Sequence, residues 1–251
     1  MRFEAIGVPW SIETPEPLDA EVRRAIHERI EAYDRNWSRF RADSVVSRMA
    51  RGEAVEPPAA ERDPLFALYD LLAATTGGRM SLHVGAALSR LGYGGAAIDV
   101  GAAGKGQLVD LVAGVLEAHG VDAWTVDASG DIRHRGRAIR IALEHPWDAT
   151  MAIGVVELAD GAICASATNR RRWVDLSGRT VHHVVDGLTG VPVGDVVATW
   201  ALAADAMTAD GASTALFFTA DLPSALGVEW ARITSAGRVE VSPGFPGEVF
   251  G

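Results

Sequence analysis

A glycine-rich turn that contains the only lysine of the sequence is the segment best suited to hold an anionic ligand. Residues 98–110 read Ile-Asp-Val-Gly-Ala-Ala-Gly-Lys-Gly-Gln-Leu-Val-Asp, with four small residues between Val100 and Lys105. Apolar residues at helical spacing follow and stop at Gly120, which predicts a helix over 106–119. Such a turn leaves the N–H groups of the following helix open to anions. The alternative is an ordinary strand-to-helix turn, since the spacing matches neither a Walker A loop nor the dinucleotide fingerprint.

Asp210 and Thr214 could together bind a divalent cation. They are four residues apart in the segment Ala-Asp-Gly-Ala-Ser-Thr-Ala-Leu and would share one face of a helix predicted over 205–219. A carboxylate, a hydroxyl and a carbonyl from a nearby turn form an oxygen-only site suited to Mg²⁺ or Ca²⁺. The alternative is that Asp210 caps the helix and Thr214 is a small polar spacer.

Further candidates lie in the second half of the chain. His182 and His183 precede a tight turn, where a histidine could act as a general base near neutral pH. Because successive residues of a strand face opposite sides, at most one of the two is expected to be catalytic. The three arginines at 170–172 could neutralise phosphates or form a solvated edge. Apolar neighbours predict that Cys164 is a buried thiol rather than a nucleophile.

The composition excludes several classes of protein. The chain has 251 residues, is 48% hydrophobic and carries a net charge of −10, which argues against a nucleic-acid surface. A single cysteine rules out an internal disulfide and fits a reducing compartment. Neither a secretory signal nor an apolar run long enough to span a bilayer is evident. We therefore expect a cytoplasmic protein without membrane insertion.

Helices and strands are predicted to intersperse without regular βαβ alternation, which favours an α+β fold over a doubly wound sheet. The expected domain organisation is a single domain over 1–251, with two subdomains as the alternative. Besides the helices over 106–119 and 205–219, we predict helices from residue 18 to 40, from 65 to 76 and over 222–231. Strands are predicted over 2–13, 123–127, 181–185 and 196–203, and hairpins over 132–141, 151–166 and 232–241. A loop is predicted over 51–63 and a loose C-terminal end, while 79–97 receives no assignment.

Three of these segments, in this order, resemble motifs of the ApbE family, the flavin transferases once described as thiamine-biosynthesis lipoproteins. The family's Asp-Leu-Gly-Gly-x-Ala-Lys-Gly…Asp segment is matched at 99–110. Its His-x-x-Asp-Pro-x-Thr-Gly-x-Pro segment is matched at 183–192, and its Ala-Asp-Ala-x-x-Thr-Ala segment at 209–215. The resemblance implies an α+β, T-fold-like architecture in which helices pack on mixed or antiparallel sheets.

The resemblance also implies an activity, which is Mg²⁺-dependent transfer of FMN from FAD to a threonine or serine hydroxyl of an acceptor flavoprotein, with release of AMP. The roles that it implies fall on eight residues: Asp210, Thr214 and the carbonyl of Ala102 for the metal, Asp210 and His183 for catalysis, and Met80, Ser81, Asp99, Lys105 and His183 for FAD. The alternatives are a relative that binds FAD or hydrolyses it to FMN and AMP without labelling a protein, and a non-catalytic scaffold.

The sequence departs from the family pattern at several places around the expected flavin pocket. Met80 and Ser81 occupy the positions at which relatives usually have an aromatic residue and an aspartate, which predicts weaker binding of the flavin. Gly187 replaces the usual proline after Asp186, and Ala167 replaces the glycine of a Ser-Gly pair. The metal-binding residues are less affected than the flavin pocket.

Overall fold

The computed structural model describes residues 1–93 and 98–250. The helices of this part are α1 (Ala20–Trp37), α2 (Val45–Ala50), α3 (Ala59–Thr75), α4 (Gly85–Arg90), α5 (Gly104–Ala118) and α6 (Ala206–Ala215). The strands are β1 (Arg2–Ala5), β2 (Val8–Glu13), β3 (Trp124–Asp127), β4 (Asp131–His145), β5 (Asp148–Ala167), β6 (Arg172–Val174), β7 (Thr180–His182), β8 (Val196–Ala203), β9 (Glu229–Thr234), β10 (Val239–Val241) and β11 (Gly247–Val249). Single 3-10 turns occupy Leu82–Val84 and Ser224–Leu226.

One antiparallel sheet runs through the molecule in the order β1-β2-β3-β4-β5-β8-β9-β10, with β11 added alongside β5. The long hairpin β4–β5 is its centre, and β8 pairs with the last third of β5. A separate two-stranded sheet, β6–β7, follows β5 in sequence. This arrangement confirms the predicted α+β class.

The main hydrophobic core lies between the helices and one part of the sheet. Helix α5 lies in this core. As the sequence predicts, it buries apolar residues at three- and four-residue spacing, namely Leu108, Val109, Val112 and Leu116. It packs against α1 and α6 and against strands β3 and β4. The N-terminal ends of α5 and α6 are thereby brought together.

Gly106 permits the close approach of α5 and α6. A Cβ atom at this position would overlap the carbonyl of Ala206 and lie 2.7 Å from Cβ of Asp210. Only glycine fits such a contact without displacing one of the two helices.

Several predicted elements are corrected by the structure. Residues 222–231 do not form a helix, because 229–234 pair with β8 as strand β9; short apolar runs do not distinguish the two periodicities. Residues 132–141 and 151–166 do not form two separate hairpins, because they lie within β4 and β5, which pair with each other. Within β4, Gly136 (φ 139°) accompanies a register shift and the strand then continues.

Other corrections concern the ends of the chain and its first half. The single strand predicted over 2–13 is a hairpin, β1–β2, which turns at Ile6 and Gly7 with positive φ angles of 48° and 78°. Part of the predicted loop 51–63 belongs to α3, and α2 was not predicted at all. The C-terminal end is not loose throughout, since β11 pairs with β5.

Within the unassigned segment 79–97 the structure places a 3-10 turn and α4, while 94–97 lie outside the described residues. None of the helices described here has the length and apolarity needed to cross a membrane.

Candidate functional site

A cavity of about 1190 Å³ lies at the N-terminal ends of α5 and α6 and extends over the sheet. Its lining includes every residue that the sequence analysis assigned to a ligand: Met80, Ser81, Asp99, Ala102, Lys105, His183, Asp210 and Thr214. Ligand sites of drug-sized molecules usually have volumes of about 300–1,000 Å³. The cavity therefore has room for a larger molecule such as a dinucleotide.

The two helices at the base of the cavity cap each other with carboxylates. Asp210 of α6 is 4% exposed, and its Oδ2 accepts a hydrogen bond of 2.9 Å from the backbone N–H of Gly106 in α5. In return, the carboxylate of Asp110 in α5 accepts hydrogen bonds of 2.8 Å from Ala206 N and Met207 N at the start of α6. Each carboxylate satisfies helix N-terminal donors that have no partner within their own helix. The alternative that Asp210 caps a helix is thus partly correct, but the capped helix is α5.

Beside this contact, the buried carboxylate of Asp131 pairs with the ammonium of Lys105, whose charge also acts on Asp210. Lys105 Nζ lies 2.7 Å from Asp131 Oδ2, in an ion pair whose aspartate side chain is 1% exposed, and also donates to the carbonyl of Ala128 at 3.0 Å. Burial raises the pKa of Asp210 well above its ordinary value, the charge of Asp131 raises it further, and Lys105 opposes both effects. Burial likewise raises the pKa of Asp131 against the opposing charge of Lys105. When both carboxylates are ionised, the cluster carries one negative charge in excess.

Sequence reasoning did not assign Asp131 to the site. Its partner Lys105 is 26 positions earlier in the chain, and no spacing rule joins the first residue of β4 to a lysine in the first turn of α5. The available signal was the weak resemblance of Ser129, Gly130 and Asp131 to a Gly-Gly-Asp segment of the ApbE family.

Three oxygen atoms near the cluster remain available for a ligand. Asp210 Oδ1, the Thr214 hydroxyl and the Ala102 carbonyl accept no hydrogen bond from any residue that the structure describes. Residues 210 and 214 are one turn apart on α6, and all three residues line the cavity. Within residues 1–93 and 98–250, no group of three or more His, Cys, Asp or Glu side chains could hold a metal ion. The available donor set is therefore mixed and contains only oxygen, which suits Mg²⁺ better than a softer metal.

Asp99 belongs to a second ion pair, on another part of the cavity wall. Its Oδ2 lies 2.5 Å from Arg39 Nη1, and its Oδ1 accepts a hydrogen bond of 2.7 Å from Gly101 N. The Arg39 guanidinium also lies over the rings of Phe40 and Tyr93, at 4.8 and 4.3 Å from their centroids. Sequence reasoning missed Arg39, which is separated from Asp99 by 60 positions.

His183 lines the cavity, whereas His182 is held by the carbonyl of Val193 at 2.9 Å from Nε2. Burial lowers the pKa of His183 to about 3, and the nearby charge of Arg171 acts in the same direction. The imidazole is therefore neutral at physiological pH and able to accept a proton. Of the two histidines the structure places only His183 on the cavity, and the expectation that at most one of them is catalytic stays a prediction.

Cys164 is buried below the cavity, and burial raises the pKa of its thiol well above the ordinary value. A protonated thiol is a poor nucleophile, so the predicted inert character of Cys164 agrees with its surroundings.

Ser81 and Gly187, two positions at which the sequence differs from the ApbE family pattern, lie next to each other in the structure. Gly187 N donates a 2.7 Å hydrogen bond to the carbonyl of Arg79, and a Cβ at 187 would lie 3.2 Å from that of Ser81. A proline at 187 could not make this bond. Met80 is buried beside it and presents an apolar side chain to the cavity.

Comparison with known proteins identifies the family of this chain. The model of the ApbE family matches residues 83–232, which is more than half of the chain. The chain belongs to the ApbE family. The matched range contains six of the eight assigned residues, all except Met80 and Ser81.

Curated relatives with the name FAD:protein FMN transferase are similar over parts of the chain. The protein of Vibrio cholerae serotype O1 is 33% identical over 126 residues, which are 47% of this chain and 37% of that protein. The protein of Escherichia coli strain K12 is 22% identical over 269 aligned positions, covering 86% of this chain and 77% of that protein. The matches to the first relatives span only about a third of their length.

Two solved ApbE structures have the same fold. The ApbE protein of Thermotoga maritima superposes with a TM-score of 0.85 at 22% identity, covering 97% of this chain and 96% of that one. The flavin transferase ApbE from Vibrio cholerae gives 0.80 at 22% identity, with coverages of 98% and 97%. At this level of identity the likeness establishes the fold.

Proposed function

We propose that the protein is an FAD:protein FMN transferase that requires Mg²⁺. It would attach FMN to a threonine or serine hydroxyl of an acceptor flavoprotein and release AMP. The observation that carries the proposal is that one cavity gathers an oxygen-only donor set, a lysine and a neutral histidine from three distant segments. The names of the relatives support the same reaction.

The proposed metal ligands are Asp210, Thr214 and the carbonyl of Ala102. Asp210 Oδ1, the Thr214 hydroxyl and the Ala102 carbonyl have no competing donor in the described chain, and the negative charge of Asp210 and of the neighbouring Asp131 favours a cation. When bound, Mg²⁺ would stabilise charge that develops on the phosphate oxygens. Asp210 is in addition assigned to catalysis, because its carboxylate sets the position of the metal relative to α5.

The proposed contacts with FAD are Asp99, Lys105, Met80, Ser81 and His183. Lys105 supplies a positive charge next to the glycine-rich turn at the start of α5. The N-terminus of this helix also favours binding of a phosphate group. Met80 contributes apolar surface for the flavin ring, without the stacking that an aromatic residue would add.

The reaction forms one phosphorus–oxygen bond, breaks another and transfers one proton. The oxygen of the acceptor hydroxyl bonds to the phosphorus of the FMN half, and the bond from this phosphorus to the bridging oxygen breaks. AMP leaves with the electron pair, and the hydroxyl proton passes to His183. A positioned base of this kind typically contributes roughly 10²–10⁴-fold in rate. Because the His183 pKa is low in the free protein, a negatively charged ligand nearby would increase its basicity.

A second candidate is hydrolysis of FAD to FMN and AMP without labelling of a protein. It is favoured by the apolar Met80 and by Ser81, which provide fewer specific contacts to the flavin than the usual aromatic and aspartate pair. In that case water takes the place of the acceptor hydroxyl.

The test is to incubate the purified protein with FAD, Mg²⁺ and an acceptor flavoprotein domain, then measure covalent flavin fluorescence and AMP. Asp210→Asn should reduce both products by more than about 100-fold. Asp205→Asn is the matched control, since Asp205 caps α6 outside the cavity and asparagine caps equally well. Release of AMP without labelled acceptor would select hydrolysis, and the absence of both products would refute both functions.

A further inference from the structure

One cationic side chain of the cavity is not engaged by any carboxylate of the described chain. Four lysine or arginine residues line the cavity in this part: Arg39, Lys105, Arg170 and Arg171. Three are held at nitrogen–oxygen distances of 2.5, 2.7 and 2.6 Å: Arg39 by Asp99, Lys105 by Asp131 and Arg170 by Glu144. Arg171 makes no ion pair with the residues at 1–93 and 98–250. Its guanidinium is therefore the cation that an incoming anion could bind without displacing a carboxylate.

The backbone at Arg171 adopts an unusual conformation. Arg171 directly precedes β6, at the end of the turn that follows β5, and its φ angle is 44°. This left-handed region is unfavourable for residues other than glycine, and such residues are concentrated at ligand-binding sites. In agreement with this, Arg171 lines the cavity, whereas its neighbour Arg172 does not.

Arg171 lines the same cavity as His183, the proposed proton acceptor, and Asp210, a proposed metal ligand. Burial lowers the pKa of His183, and the positive charge of Arg171 lowers it further. An anion bound by Arg171 would therefore share the cavity with both groups.

We propose that Arg171 binds the pyrophosphate of the dinucleotide through its guanidinium. The planar guanidinium can donate two parallel hydrogen bonds to one phosphate, which fixes both its position and its orientation. This assignment rests on the proposed function, and it adds a substrate-binding residue that lies outside the three family motifs.

The experiment compares Arg171→Ala with the matched control Arg172→Ala, which removes an equal charge from an adjacent exposed residue. The dissociation constant of FAD is measured by titration calorimetry with Mg²⁺ present. Arg171→Ala should weaken FAD binding about 10–100-fold, as expected for loss of charge-assisted hydrogen bonds, while Arg172→Ala should remain within about twofold of the parent. Arg171→Lys should be intermediate, because it keeps the charge and loses the bidentate geometry.

A second measurement separates this proposal from the proposed function. Inorganic pyrophosphate with Mg²⁺ should raise the melting temperature of the parent and of Arg172→Ala, but not that of Arg171→Ala. This pattern would support the anion site even if no flavin were transferred. An FAD dissociation constant of Arg171→Ala within twofold of the parent, or equal losses in both alanine variants, would overturn the assignment.

Discussion

Two buried ion pairs face the same cavity and differ in their charge balance. The pair Arg39–Asp99 consists of one cation and one carboxylate, and Asp99 has an additional backbone donor in Gly101 N. The pair Lys105–Asp131 lies beside a third ionisable group, Asp210, whose pKa is raised by burial and then by the charge of Asp131. The charges of Arg39 and Asp99 balance each other. Lys105, in contrast, is a single positive charge beside two carboxylates, Asp131 and Asp210.

This difference indicates which part of the cavity is built for stability and which for a ligand. Removing charges from water is costly, and a buried pair that is complete repays the cost only when geometry and further hydrogen bonds are good. A cluster with an uncompensated carboxylate is worse for the stability of the free protein, but it favours binding of a cation. The Lys105 cluster, rather than the Arg39 pair, is therefore where a metal ion would add the most stability.

The largest effect on stability is expected from Lys105→Met. It leaves two buried carboxylates without their ammonium and should lower the free energy of unfolding by about 3–5 kcal/mol. Arg39→Met is the matched variant of the other pair and should cost less, because Asp99 keeps its bond from Gly101 N. Urea unfolding of both variants tests the comparison, and an equal or larger loss in Arg39→Met would contradict it.

Gly106→Ala tests whether the contact of α5 with α6 is needed to build the Lys105 cluster. The added methyl would overlap the Ala206 carbonyl, and we expect a loss of about 1–3 kcal/mol together with weaker Mg²⁺-dependent stabilisation. Gly114→Ala on the same helix is the control. No atom lies within 4 Å of its added Cβ, so it should stabilise the protein by up to about 1 kcal/mol. The contact would be unimportant if thermal unfolding gave the same change for both variants.

The pH dependence of stability should distinguish the charged cluster from an ordinary set of surface carboxylates. Since the pKa of Asp210 is raised on folding, the native state binds more protons than the unfolded state above about pH 4, and stability contributed by this group falls as pH rises. Asp210→Asn removes that loss, so its advantage over the parent should grow by up to about 1.4 kcal/mol per pH unit from pH 4 upward.

This comparison is made in buffers without divalent cations, by chemical unfolding at pH 5, 6, 7 and 8. Taking the difference between variant and parent cancels the groups on which Asp210 has little influence, including Asp110, whose pKa is raised to about 6, chiefly by burial. A difference that is constant with pH would mean that Asp210 does not carry the excess charge.

The smallest effect on the free protein is expected from Thr214→Val. The Thr214 hydroxyl makes no hydrogen bond within the described residues, so stability should change by less than about 1 kcal/mol. The Mg²⁺-dependent rise in melting temperature should nevertheless fall, because one proposed ligand is lost. A full response to Mg²⁺ in this variant would remove Thr214 from the proposed metal site.

The local part of the structure followed from the sequence. The glycine-rich turn before α5 was recognised from its small residues. Spacings of three and four residues predicted the apolar stripe of α5 and the shared face of Asp210 and Thr214. Such spacings are set by helix geometry, so they can be recognised without any tertiary contact. The motif resemblance added the order of the segments and hence the family.

The tertiary structure decided which distant residues meet. Lys105 with Asp131, Arg39 with Asp99 and Gly106 with Asp210 are joined across 26, 60 and 104 positions, and no local period predicts such pairs. Packing also decided that 229–234 is a strand, since its neighbour β8 supplies the hydrogen bonds that a helix would have made internally. The helices near the site follow from short-range geometry, which the sequence shows. The charge balance of the buried site depends on the whole fold, because folding brings together charged residues from segments far apart in the chain.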